Sequence, residues 1–115
     1  MDQKLSVQST LRLTKGGKIF GPGIATLLEE IEKSGSLRKS AMKMGLSYSK
    51  AWKMVHSCED HLGFKLLVCQ IGGTGGGGAK LTIEARELLD QYRAFEQEAH
   101  SVLQGLVDKY FDKYY

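Results

Sequence analysis

Between Ser36 and Cys58 the chain carries Arg38, Lys39, Lys43, Lys50 and Lys53 and not one acid. Long cations with no carboxylate among them are chemistry for anions, and such a face can approach a nucleic-acid backbone without repulsion. A second candidate is the stretch GGTGGGG from Gly72 to Gly78, with Lys80 close behind it. Successive glycine N–H groups can point at phosphate oxygens. Gly73, Gly75 and Gly78 satisfy the G-x-G-x-x-G dinucleotide spacing, although a stretch so rich in glycine satisfies many patterns. That fingerprint also needs a helix opening at the loop and a parallel strand beyond it, and the residues here suit neither. A Walker-type loop fails because Ala79 stands where glycine must precede Lys80, and Leu81 replaces the hydroxyl residue. His56, His61 and His100 have no carboxylate or cysteine at motif spacing, and Cys58 and Cys69 make neither a disulfide framework nor a metal-ligand pattern. These residues point to binding rather than catalysis, with no metal and no cofactor.

The basic residues need elements to hold them. Leu37, Ala41 and Met44 recur at helical spacing, with Arg38, Lys39 and Lys43 on the other side. Gly45 ends that short helix and Leu46 anchors the turn. Ser47 is placed to cap the next helix, as Ser36 caps the one before. The next helix turns Ala51, Val55, Cys58 and Leu62 inward with Trp52 beside them, leaving Tyr48, Ser49, Lys50, Lys53 and Ser57 outward. Two short helices with alanines where they cross make a helix-turn-helix. Before it, Gly21-Pro22-Gly23 precedes a helix with Ile24, Leu27, Leu28 and Ile31 on one face and Glu29, Glu30 and Glu32 on the other. At the N-terminus, Leu5, Val7, Leu11 and Leu13 alternate toward Gly16-Gly17, and Ile19-Phe20 follow, which predicts a β-hairpin over 1–21.

After the helix-turn-helix, Leu66 to Ile71 has strand character, and Ala79 to Leu81 can return beside it after the glycine loop. Strand, loop and strand over 64–81 predict a β-wing. Thr82 then caps a final helix of roughly 30 residues, about 45 Å long. Along it Leu88, Tyr92, Phe95, Ala99, Val102, Leu106 and Tyr110 recur at spacings of three and four. A small core cannot cover a stripe of that length, so these residues are expected to form a dimer seam. Tyr110, Phe111, Tyr114 and Tyr115 end the chain and either pack on the partner or fray.

The 115 residues fit one domain, with 42% hydrophobic and 25% charged residues and a net charge of +3. The charge is informative in its distribution: the basic helix pair is followed by a helix bearing Glu84, Glu87, Asp90, Glu96 and Glu98. No cleavable signal and no apolar run of bilayer length is visible, so the expectation is a cytoplasmic protein with no membrane partner.

Taken together, GPG before the first helix, GS-L opening the second, SYSKAW at the third and GGTGGGGAKLT at the wing resemble the DNA-binding domain of ModE-type, molybdate-responsive transcriptional regulators. The third helix and the following HLGFKLL are similar to the winged helix-turn-helix of LysR-type regulators. The resemblance covers roughly Leu11 to Tyr92. It implies that the third helix enters the major groove of double-stranded DNA and that the last helix pairs two subunits. Groove-facing positions fall on Ser47, Tyr48, Ser49, Lys50 and Lys53, with the wing's contacts at Thr74, Gly75, Gly76 and Lys80. Trp52 matches the family's tryptophan, read as packing near the helix–wing junction. Ligand-sensing members carry further C-terminal domains, whereas this sequence ends after one helix, so direct molybdate binding is not expected.

The expected fold is therefore mainly α with small β: a winged helix-turn-helix with an N-terminal β-hairpin (1–21), three-helix core (22–63), β-wing (64–81) and long dimerisation helix (82–115). The expected function is a sequence-specific, homodimeric, DNA-binding transcriptional regulator. Arg38, Lys50 and Lys53 would neutralise phosphates or contact guanine, while Tyr48 and Ser49 reach base edges. The alternative is a winged-helix adaptor that binds another protein within a transcription or molybdenum-metabolism complex. An enzyme is supported only by the glycine loop.

Overall fold

A computed structural model describes residues 4–70 and 78–114. Strands β1 (Leu13–Thr14) and β2 (Lys18–Phe20) pair antiparallel and lead into helices α1 (Pro22–Ser34), α2 (Leu37–Lys43) and α3 (Tyr48–Leu62). Strands β3 (Leu67–Gln70) and β4 (Gly78–Leu81) form a second antiparallel pair, followed by the long helix α4 (Ile83–Phe111) and one 3-10 turn at Asp112–Tyr114. This is a winged helix-turn-helix extended by a long C-terminal helix.

The caps define the turns. The Ser36, Ser47 and Thr82 side chains accept the backbone N–H groups of Lys39, Lys50 and Ala85 at 3.0–3.1 Å, which starts α2, α3 and α4 where the sequence places them. Gly45 closes the α2–α3 turn at φ +71°, a left-handed conformation that suits glycine. Leu27, Leu28 and Ile31 of α1 meet Ala41, Ala51, Val55, Cys58, Leu66, Ala85, Leu89 and Tyr92 in one buried core. Burying each of the larger aliphatic side chains contributes roughly 2 kcal/mol.

Two expectations need correction. Residues 4–12 do not extend the hairpin, whose paired part is confined to 13–20. That segment instead lies along α4 as a strap: the Gln104 carboxamide accepts from the Val7 N–H at 3.2 Å and donates to the Leu5 carbonyl at 3.0 Å. A helix face offered a better partner to this backbone than a two-stranded ribbon, which is marginal alone. Tyr92 is the second correction. It is 1% exposed, packs edge-on to Phe20 at 5.0 Å and donates its hydroxyl to the Leu11 carbonyl at 2.7 Å. Tyr92 therefore belongs to the core of its own domain, not to a seam between subunits. Leu88 also packs against that core.

Beyond Tyr92 no described residue of α4 is buried. Phe95, Val102, Leu106, Tyr110 and Phe111 stand exposed, and Ala99 is half-buried. The strap does not cover this stripe, since Gln104 lies about 200° round the helix from Val102. Two ion pairs fix α4 against α1. Arg93 makes a bidentate pair with Glu29 at 2.6 and 3.0 Å and also reaches Glu96 at 2.7 Å, while Arg86 meets Glu32 at 3.0 Å.

Candidate nucleic-acid interface

The first two turns of α3 carry the expected reading surface. Tyr48, Ser49, Lys50 and Lys53 are all exposed, as is the capping Ser47. Ala51, Val55 and Cys58 hold the opposite side of the helix in the core. On α2, Arg38 is also exposed, with its guanidinium 4.6 Å from the centre of the Tyr48 ring. The two helices thus meet in one composite surface, in which the cation is stacked on the phenol beside it. Lys39 is exposed nearby, whereas Lys43 turns back to Glu30 of α1 at 2.9 Å and is partly neutralised there.

On the wing, Lys80 is exposed and pairs across the ribbon with exposed Val68, while Leu67 and Leu81 pair on the buried side. Thr74, Gly75 and Gly76 lie outside the described residues, as does most of the glycine loop. The residues that follow form β4, not a helix, which departs from the arrangement a dinucleotide fingerprint requires.

Trp52 is not enclosed at the helix–wing junction. It is 45% exposed and stacks on His56 with ring centroids 3.7 Å apart. His56 is fixed by a 2.9 Å hydrogen bond from Nδ1 to the Trp52 carbonyl, and its Nε2 lies 3.9 Å from Glu59. Glu59 is the residue that reading the sequence passed over. Its side chain is 6% exposed, and Oε2 accepts the backbone N–H groups of Leu66 at 2.7 Å and Leu67 at 3.4 Å. The signal was present: position 59 falls four residues after Val55 and one after Cys58, so this acid sits on the apolar side of its helix. A buried carboxylate there needs partners, and the wing backbone supplies them.

Among the described residues no group of histidine, cysteine, aspartate and glutamate could hold a metal ion, and no helix is long and apolar enough to cross a membrane. Cys58 is buried, and burial, reinforced by Glu59, pushes its thiol up to about 11.

The family model of the lysR family of bacterial regulatory helix-turn-helix proteins matches residues 25–86, more than half of the chain, from α1 through the wing into α4. The chain belongs to this family. It is similar to the molybdenum transport protein ModE of Azotobacter vinelandii, 37% identical over 83 residues that cover 72% of this chain and 31% of the relative. It is also similar to the DNA-binding transcriptional dual regulator ModE of Escherichia coli K12, at 35% over 98 residues (82% and 37%). The molybdenum-pterin-binding protein MopB of Rhodobacter capsulatus is 34% identical over 84 residues, 73% of this chain and 31% of its own. The chain thus spans about a third of the length of the curated relatives it matches.

Proposed function

We propose that this chain is a sequence-specific DNA-binding transcriptional regulator of the ModE and LysR type, non-catalytic and cytoplasmic, that binds double-stranded DNA as a homodimer. The observation that carries the reading is the solvent face of α3. Tyr48, Ser49, Lys50 and Lys53 stand exposed at the start of the second helix of a helix-turn-helix, with Arg38 beside them. That is the part of the motif that enters a major groove. Tyr48 and Ser49 reach base edges, Lys50, Lys53 and Arg38 serve phosphates or guanine, and the wing from Thr74 through Gly75 and Gly76 to Lys80 follows the backbone. The uncovered stripe of Phe95, Val102, Leu106 and Tyr110, with half-buried Ala99 among them, supports pairing of two copies through α4. This reading gives the chain no cofactor and no direct molybdate site.

Selection of bound fragments from a genomic library tests it. Enrichment of a pseudo-palindromic consensus is expected, because two-fold protein symmetry requires two-fold sites. Failure to retain any fragment at low salt overturns the reading. The exposed apolar stripe would then favour the second reading, a winged-helix adaptor that uses α4 to hold another protein.

A further inference from the structure

We infer that Glu59 is a positioning residue for DNA binding: its carboxylate ties the wing to the recognition helix, so that Lys80 and Lys50 meet the duplex in one register. This rests on the DNA-binding reading above. Among the described residues, Glu59 is the only buried charged side chain. Among those residues it is also the only side chain of α3 with a hydrogen bond to the wing. One oxygen holds two successive N–H groups, Leu66 and Leu67, at the point where the chain leaves α3 through Gly63 and starts β3.

Charge explains why a carboxylate serves here. Taking it out of water is costly, and the two N–H donors recover that cost only in one geometry. An apolar side chain at position 59 could fill the space but would leave both donors unpaired and the start of the strand held to α3 by apolar packing alone. The other oxygen has Lys65 at 3.8 Å and His56 at 3.9 Å on its outer side. The exposed Lys65 ammonium thus sets a positive charge beside the one buried negative charge of the helix, which lessens its repulsion of an approaching phosphate. The returning strand is anchored separately. The Ala79 N–H donates to the Gly35 carbonyl at 2.9 Å, and the Thr82 hydroxyl donates to the Lys65 carbonyl at 2.7 Å. Those bonds tie the wing to the α1–α2 turn and to itself. Among the described residues, the Glu59 bonds are the hydrogen bonds that tie it to the helix proposed to read DNA.

The test is a double-mutant cycle on salt-dependent binding to a fluorescein-labelled mixed-sequence duplex, read by anisotropy. Mixed sequence isolates phosphate contacts, each worth about 0.9 in the slope of log affinity against log salt. Lys80→Ala is expected to lower the slope by about that amount in the wild type and in Glu59→Gln, which keeps an acceptor oxygen. In Glu59→Ala the Lys80 effect should vanish while the Lys50→Ala effect persists. Glu59→Asp, which withdraws the carboxylate by one methylene, should weaken the coupling part-way and serves if Glu59→Ala does not fold. A merely stabilising residue would leave the Lys80 and Lys50 effects alike in every folded variant. A full Lys80 effect in Glu59→Ala or Glu59→Asp overturns this inference alone, as does a wild type indifferent to Lys80→Ala. A wild type that binds no duplex at low salt overturns the DNA-binding reading and this inference together.

Discussion

Lys50 and Lys53 differ from Lys43 in what surrounds their ammonium groups. Lys43 already has the Glu30 carboxylate at 2.9 Å, whereas the other two stand exposed on a helix face, with no ion pair among the described residues and no acid beside them in sequence. A phosphate that replaced Glu30 would have to compete for Lys43. Lys50→Ala and Lys53→Ala are therefore expected each to lower the salt slope of duplex binding by about one unit, and Lys43→Ala by much less. If Lys50 reads a base instead, its loss will concentrate at one position of the selected site, worth about 1–3 kcal/mol there. The cysteines separate in the same way. Burial holds the Cys58 thiol protonated, pushed up to about 11, and shuts it from reagents, while Cys69 is exposed. Thiol titration of the native protein at mildly alkaline pH should label Cys69 alone, and Cys69→Ser should stay unlabelled until unfolded. Rapid labelling of that variant would show that α3 does not seal its core face.

At the scale of elements, α4 is held to α1 by polar bonds as well as by the shared apolar core. The Arg93 hydrogen bond holds the Glu29 carboxyl below its usual range, and Arg93 in turn is held more firmly charged. A depressed carboxylate contributes stability that is complete above its unfolded value, near 4.5, and is lost as pH falls through the depressed one. Arg93→Ala should thus cost about 1 kcal/mol at neutral pH, the pair being partly exposed, and the difference from wild type should shrink in acid. Urea unfolding at neutral pH and near pH 3 measures both; an unchanged gap would mean that Glu29 is not the titrating partner. This lock also marks where sequence reading stopped. The helices, their serine and threonine caps and the wing strands were legible because period and capping are local signals. Glu29–Arg93, Tyr92–Leu11 and Gln104–Val7 join residues 64, 81 and 97 positions apart, and no local pattern announces such pairs. Tyr92 falls under the same limit: its apolar spacing along α4 is a local signal that suits a seam, whereas its cover, Phe20, lies 72 residues away in sequence.

For the whole molecule, the radius of gyration is 17.6 Å and the long dimension 61 Å. A compact chain of this size would have a radius of roughly 13 Å. The excess is α4, which runs past its own core with Phe95, Val102, Leu106 and Tyr110 uncovered. In a two-fold pair each substitution counts twice. Leu106→Lys removes roughly 2 kcal/mol of burial from each copy, so the dimer should loosen by about 4 kcal/mol, on the order of a thousandfold. Sedimentation velocity reads this directly. Wild-type protein that stays monomeric at high concentration would sink the pairing proposal while leaving the α3 surface as it is.

The strap has a consequence for how the molecule is made. Val7 finds its hydrogen-bond partner in Gln104, 97 residues later, and Leu5 finds the same side chain at a separation of 99. On a ribosome moving at about 10 residues per second, residues 5–11 wait on the order of ten seconds for the surface they will lie on. The three-helix core can close in that interval from contacts already synthesised. Residues 5–11 thus emerge well before the surface they lie on, and they settle only once α4 has emerged far enough to present Gln104.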